Sequence, residues 1–164
     1  EKKLKDWILD NKSIHFMDSE YRIFSSAIVG GILPIALGVA MAIKRKYVEI
    51  IKSFLSFEPD KWTGDLIADL EIPHVWCFIG DMTATLGTFK DCFTYAYNYD
   101  LPITFIIENN EMSTDTKTAE VWNTIQTEMD NYLDDYSKKF PDYVKYYKYE
   151  RIFPHYGIGT FIKF

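Results

Sequence analysis

Two short apolar segments, separated by an amphipathic stretch, form the clearest pattern in the chain. Residues 74–79 (HVWCFI) and residues 103–107 (ITFII) carry no charge and are rich in β-branched and aromatic side chains. Such runs are typical of parallel strands that are buried on both faces. Residues 88–99 between them have the spacing of an amphipathic helix, and Pro102 follows. The pattern predicts a strand–helix–strand unit in an α/β fold with a doubly wound, mainly parallel sheet.

A long uncharged stretch, residues 27–43, precedes this unit. Its 17 residues are the lower limit for a helix that spans a membrane, and three basic residues follow at once. Its small residues also suit a helix packed closely against a neighbour. We predict a loop at Gly30 and Gly31, then a helix with Pro34 in its first turn. We expect this helix at a subunit contact and not in a membrane, with helical spacing continuing through residues 47–57.

The last third of the chain contains 7 of the 12 tyrosines. Here the pattern predicts a helix over residues 120–136, a loop over 137–142, a strand over 143–150 and a strand-like end at 151–164. Acidic and basic residues balance in this part, so a tyrosine-rich subunit surface is favoured over a nucleic-acid surface. Because no linker or repeat interrupts the sequence, we expect one domain over residues 1–164.

Composition narrows the class of protein. The chain has 164 residues, 48% of them hydrophobic, which excludes intrinsic disorder. Its net charge of −6 disfavours a nucleic-acid partner. Cys77 and Cys92 each lie within an apolar run, which predicts two reduced core thiols and a cytoplasmic protein.

The candidate chemistry lies where the two predicted strands end. Asp81 follows the first strand and Asn110 follows the second. Carboxyl ends of parallel strands share one edge of a sheet, where ligands of such folds bind. Mg²⁺ binds six oxygens at about 2.1 Å. One carboxylate, one amide oxygen and one main-chain carbonyl would leave positions for two diphosphate oxygens and a water. Main-chain amides at the start of the helix after Asp81 suit that anion.

The order of these residues resembles the thiamine-diphosphate motif, a Gly-Asp-Gly followed at a distance by Asn-Asn. Here Gly80-Asp81-Met82 is followed, after 26 residues, by Asn109-Asn110. The flanking sequence includes SSAIVGGILPIALGVAMAIKRK and GDMTATLGTFKDCFTYAYNYDLPITFIIENN. From about residue 15 to 116 it resembles the alpha subunit of the dehydrogenase component of 2-oxoacid dehydrogenase complexes.

The resemblance implies the fold and the site residues. The fold would be the diphosphate-binding domain of thiamine-diphosphate enzymes, with residues 120–164 as a family-variable segment. The implied ligands of Mg²⁺ are Asp81, Asn110 and the carbonyl of Met112. The main-chain amides of Met82 and Thr83 would face the diphosphate of thiamine diphosphate, and Gly80 and Asp81 are implied as cofactor-binding residues of the same motif. The backbone facing the aminopyrimidine ring would be that of Ala27, Ile28 and Val29. His15 matches a histidine at the active-site entrance and is the candidate catalytic residue.

The resemblance also implies the function. The chain would be the cofactor-binding alpha-type subunit of an enzyme that decarboxylates a 2-oxoacid oxidatively. In the family, the glutamate that activates the aminopyrimidine lies on a separate pyrimidine-binding domain. We therefore expect a beta-type partner subunit, and we expect the assembly to be a homodimer or a heterotetramer.

Two alternatives stay open at this point. A transketolase-like subunit, acting on a ketose, would use the same half of the site. A non-catalytic scaffold or regulatory relative is favoured by Met82 in place of glycine. The Tyr-Arg pair that the family uses on the diphosphate has no match in residues 1–26, which predicts a chain truncated at its N-terminus.

Overall fold

The computed structural model describes residues 5–6, 15, 17–57 and 71–150. Within these ranges the helices and strands follow in this order: β1 (Met17–Asp18), β2 (Ile23–Phe24), α1 (Ile32–Phe57), β3 (Val75–Gly80), α2 (Asp81–Ala84), α3 (Gly87–Asn98), β4 (Ile103–Asn109), β5 (Met112–Ser113), β6 (Thr116–Lys117), α4 (Thr118–Val121), α5 (Gln126–Lys139) and β7 (Val144–Lys148). The strand-like end predicted at 151–164 lies outside the described residues.

The main sheet contains three parallel strands in the order β3–β4–β7. In its register, Cys77 lies opposite Phe105, and Phe105 lies opposite Val144. Ile103, Phe105 and Ile107 of the central strand are fully buried. The predicted strand–helix–strand unit and the α/β class are therefore confirmed.

Helix α3 packs on this sheet through the face that its sequence predicts. Its buried residues, Phe89, Cys92, Phe93 and Ala96, recur at helical spacing. The Phe89 ring meets the Phe105 ring edge-on, with centroids 5.4 Å apart. Aromatic side chains of α5 and of the loop after it complete this cluster, including Tyr136 and Phe140. The core therefore lies between the sheet, α1, α3 and α5.

The two cysteines belong to this core. Both are free and buried. Burial, with a smaller effect of Cys92, raises the pKa of Cys77 to about 12. Burial also raises the pKa of Cys92. The prediction of two reduced core thiols is confirmed.

Strand β3 differs from the expectation of a strand buried on both faces. Cys77 and Ile79 are buried, but the side chains that alternate with them, Trp76 and Phe78, are 58% and 57% exposed. Among the described residues, helices pack on the Cys77 side of β3 and leave Trp76 and Phe78 uncovered. The uncharged run of β3 therefore did not show whether one face or both faces of the strand are covered by other elements.

Helix α1 is one continuous helix of 26 residues. Gly30 precedes it with φ +78°, a conformation that glycine adopts without strain, and Pro34 lies in the first turn as predicted. Leu33 and Ala40 are buried in the core, whereas Ile35 and Val39 are about half exposed. The helix therefore presents an apolar side outward. No helix in the described part of the chain combines the length and the hydropathy that crossing a bilayer requires.

The helix predicted over residues 120–136 is wrong in its boundaries. The structure has two helices, α4 and α5, separated by residues 122–125. Asn123 lies between them with φ 50°. A left-handed residue cannot continue a right-handed helix, and asparagine tolerates this conformation better than most residues. The strand predicted next over 143–150 is confirmed as the shorter β7.

Candidate functional site

Asp81 is a buried carboxylate at the carboxyl end of β3. It is the first residue of α2 and only 1% exposed. The Thr118 hydroxyl donates a hydrogen bond of 2.5 Å to its Oδ2 atom. Burial raises the pKa of Asp81, while hydrogen bonds from Thr118 and from the main-chain amides of Asp81, Asn110 and Met82 counteract part of that rise. The carboxylate is therefore held in one orientation by several donors.

The parallel register brings Asn110 to Asp81. Gly80 pairs with Glu108, so β3 and β4 end side by side, and the Asn110 main-chain amide reaches the Asp81 carboxylate. The structure thus brings together the two residues that the sequence placed at one edge of the sheet. Their roles as metal ligands remain a prediction.

The turn after β4 holds the other two predicted metal ligands. The Asn110 Oδ1 atom accepts a hydrogen bond of 3.0 Å from the Met112 amide, and its Nδ2 atom donates one of 3.3 Å to the Tyr149 hydroxyl. Glu111 between them has φ 64°. An amide oxygen has two lone pairs, so Asn110 Oδ1 retains one for a cation.

Asn109 supports this turn from inside the protein. It is fully buried. Its Oδ1 atom accepts a hydrogen bond of 2.8 Å from the Glu111 amide. Its Nδ2 atom donates to Asp130 Oδ1 at 2.8 Å and to the Tyr146 hydroxyl at 2.9 Å. All its hydrogen-bonding capacity on nitrogen is therefore used, as burial of an amide requires.

Met82 and Thr83, predicted to face a diphosphate, lie within α2. Met82 has a helical backbone, so replacing the family's glycine creates no strain from positive φ here. Its carbonyl accepts a hydrogen bond of 2.8 Å from the Thr85 hydroxyl, which in turn accepts one of 2.9 Å from the Trp122 ring nitrogen. Gly80 before them is extended, with φ −73°.

The other predicted site residues lie in and beside the loop before α1. Ala27, Ile28 and Val29 are exposed. The Ala27 amide approaches the His15 Nδ1 atom to 3.4 Å, which brings two predicted site residues together. A Cβ atom at Gly30 would lie 3.1 Å from Leu86. The loop therefore packs beside the junction of α2 and α3. The catalytic role of His15 stays a prediction.

Sequence reasoning missed the residues that hold the site from other elements. Thr118 contacts Asp81 from 37 positions away, and Asp130 contacts Asn109 from 21 positions away. Neither Thr118 nor Asp130 belongs to a recognisable sequence motif. The Asn-Asn pair indicated that position 109 belongs to the site but did not indicate which residues contact it.

The donor set suits Mg²⁺ bound together with a phosphate group. The described residues contain no cluster of three or more His, Cys, Asp or Glu side chains that could hold a metal alone. One buried carboxylate with an amide oxygen and a nearby carbonyl provides only part of an octahedral shell. Mg²⁺ commonly fills the rest of its shell with substrate phosphates and water.

The fold and the site define a class: an α/β protein with a carboxylate and an amide at the carboxyl edge of parallel strands. A model of the dehydrogenase E1 component family matches residues 6–134. The chain therefore belongs to this family, whose members are thiamine-diphosphate-dependent 2-oxoacid dehydrogenase components. E1 components of the family act with a beta subunit and form oligomers. No individual curated protein sequence matches the chain.

The hydrogen bond from Thr118 to Asp81 predicts that two substitutions at position 118 differ in their effect on stability. Thr118→Val removes the donor and leaves the buried Asp81 carboxylate poorly solvated, so we expect the free energy of unfolding to fall by about 1–3 kcal/mol at pH 7. The pKa of Asp81 should rise further, since this hydrogen bond lowers it. Urea denaturation measures the effect. Thr118→Ser keeps the hydroxyl and is the control; equal stability of the two variants would show that the contact has no energetic role.

Proposed function

We propose that the chain is the cofactor-binding alpha-type subunit of an enzyme that decarboxylates a 2-oxoacid oxidatively with thiamine diphosphate and Mg²⁺. One observation carries the proposal: the buried Asp81 carboxylate, oriented by Thr118, lies next to Asn110 at the carboxyl edge of the sheet. A nearby positive charge stabilises the ionised form of such a buried carboxyl group. A divalent cation supplies one.

In this proposal the metal ligands are Asp81 through its carboxylate, Asn110 through Oδ1 and Met112 through its carbonyl. Asp81 supplies the only negative charge of the three. Asn110 and Met112 are joined by a hydrogen bond within one turn, so they would move as a unit. The remaining positions on Mg²⁺ would go to two diphosphate oxygens and a water.

The other predicted residues orient the cofactor. The backbone of Gly80, Met82 and Thr83 would face the diphosphate, beside Asp81. The backbone of the exposed residues Ala27, Ile28 and Val29 would face the aminopyrimidine ring. His15 would lie at the entrance, near Ala27. When bound, thiamine diphosphate supplies the carbon nucleophile and the electron sink that decarboxylation of a 2-oxoacid needs.

The two glutamates next to the proposed metal ligands, Glu108 and Glu111, are bound to other side chains. Glu108 accepts a hydrogen bond from the Tyr147 hydroxyl, and Glu111 forms an ion pair with Lys148. Both flank the proposed metal ligands, at the diphosphate end of the site, so in this proposal neither reaches the aminopyrimidine. This supports the proposal that a beta-type partner supplies the activating glutamate from its pyrimidine-binding domain.

The exposed apolar surfaces fit an assembly, either a homodimer or a heterotetramer. Ile35 and Val39 on α1, and Trp76 and Phe78 on the sheet, are large apolar side chains at least 46% exposed. Exposed apolar patches of this kind are typical of protein contacts. We propose that the assembled sheet is covered on both faces, as in a doubly wound domain, and that the assembly works in the cytoplasm, where thiols such as Cys77 stay reduced.

The proposed metal site predicts the effect of Asp81→Asn. This variant keeps the side-chain size and removes the charged ligand, so we expect Mg²⁺-dependent affinity for thiamine diphosphate to fall at least tenfold, about 1.4 kcal/mol. Calorimetric titration of the assembly purified from its source measures it. Asp91→Asn removes an exposed carboxylate from α3 and is the control. If Asp81→Asn binds like a parent that does bind, the metal assignment is wrong; a parent that does not bind would support the non-catalytic alternative instead.

The proposed division between subunits predicts when the cofactor becomes activated. Exchange of the proton on the thiazolium carbon reports activation and needs no knowledge of the substrate. With this chain alone, exchange should stay at the rate seen in solution, and it should accelerate strongly when the beta-type partner is added. Proton exchange followed by NMR makes the measurement. Fast exchange with the chain alone would show that one polypeptide holds the whole site.

A further inference from the structure

Lys148 lies at the end of β7, directly beside the turn that carries the proposed metal ligands. It is the last residue of the strand and pairs in register with Asn109, the last residue of β4. The Tyr149 amide then donates a hydrogen bond of 2.9 Å to the Asn109 carbonyl. The two strand ends are therefore joined immediately before Asn110.

The Lys148 ammonium joins two carboxylates from different elements. It donates a hydrogen bond of 2.7 Å to the Oδ2 atom of Asp130 on α5, and it forms an ion pair with Glu111 in the turn. The side chain of Lys148 is 48% exposed and that of Asp130 is 20% exposed. One cation thus bridges the turn to the first half of α5.

Asp130 is the anchor of this arrangement. Its Oδ1 atom accepts hydrogen bonds from Asn109 Nδ2 at 2.8 Å and from Gln126 Nε2 at 2.7 Å, while its Oδ2 atom accepts from Lys148. Burial alone would raise the pKa of Asp130, but the hydrogen bonds from Lys148, Gln126 and Asn109 outweigh burial and lower it. Asp130 is therefore ionised at neutral pH and ties the buried Asn109 to the Lys148 ammonium.

We propose that Lys148 is a positioning residue for the metal site. By bridging Glu111 to Asp130, it holds the turn that contains Asn110 and Met112 in place. The inference rests on the proposed function, because the turn matters only if it carries metal ligands. The Lys148 ammonium is bound to Asp130 and Glu111, so in this proposal it is not itself a ligand of the metal or the cofactor. It acts through Glu111, the residue between the two ligands, and through the Asp130 contact to Asn109.

Removing the ammonium changes the forces on the turn. Without the Lys148 ammonium, the Glu111 and Asp130 carboxylates lose the cation between them and are left facing each other. The two negative charges then repel each other, and the repulsion pushes Glu111 and its turn away from α5. The hydrogen bond from the Glu111 amide to Asn109 then opens more often. Asn110 and Met112 on either side of Glu111 lose their fixed positions.

The test compares Lys148→Met, which removes the charge, with Lys148→Arg, which keeps it. Lys138→Met is the matched control, since Lys138 on α5 forms an exposed ion pair with Asp134. The first readout is hydrogen exchange at the amides of Glu111 and Met112 in the full chain without cofactor. The second is the affinity of the purified assembly for thiamine diphosphate in saturating Mg²⁺. Urea denaturation of each variant shows whether the fold is retained.

We expect Lys148→Met to speed exchange at these two amides at least about tenfold and to weaken the affinity by about tenfold. Lys148→Arg should stay within about twofold of the parent in both, because a guanidinium can bridge two carboxylates. Lys138→Met should change neither. Rescue by Arg is the result that a general loss of stability would not produce.

Two results would overturn the inference in different ways. If the parent binds the cofactor and Lys148→Met binds it equally well, the positioning role is wrong and the proposed function stands. If the parent assembly does not bind thiamine diphosphate with Mg²⁺, the proposed function fails and the inference fails with it. In that case faster exchange in Lys148→Met would show only that the ion pairs order the turn.

Discussion

A buried carboxylate is the constraint around which this part of the molecule is arranged. Asp81 is almost fully removed from solvent, and transfer of an ionised group out of water costs several kcal/mol unless donors replace the water. The Thr118 hydroxyl and three main-chain amides replace it here. These donors come from α2, from the turn after β4 and from α4. The register of β3 on β4 and the path of the chain to Thr118 therefore both place hydrogen-bond donors around the Asp81 side chain.

The compensation for burial is incomplete, which supports the proposal of a cation at this site. The pKa of Asp81 remains raised, so the folded chain disfavours the ionised form relative to the unfolded chain. The resulting contribution to stability is full at pH values below the unfolded pKa and is lost as pH rises through the folded pKa. At neutral pH a bound divalent cation would offset that loss. If the proposed site lowers stability when empty and raises it on binding, cofactor binding would be coupled to the local fold.

The sequence predicted the strand–helix–strand unit because β3 and β4 are short uncharged apolar runs and α3 has helical spacing, and both signals lie within the element itself. It also predicted that Asp81 and Asn110 meet, since the geometry of parallel strands places their carboxyl ends together. It could not predict Thr118 or Lys148, because these contacts depend on how the chain returns to the sheet after β4. The exposed side of β3 escaped prediction for a related reason: Trp76 and Phe78 are apolar whichever neighbour covers them. The break at Asn123 was missed because helical spacing continues across it.

The central claim is that Asp81 and Asn110 hold the divalent cation of a thiamine-diphosphate site. Crystals of the purified assembly grown with Mn²⁺ and thiamine diphosphate, with data collected at the manganese absorption edge, locate the cation directly. We expect one anomalous peak per site at about 2.1 Å from an Asp81 carboxylate oxygen and from Asn110 Oδ1, as for Mg²⁺. Bound cofactor with its cation on other residues, or with none beside Asp81, would contradict it.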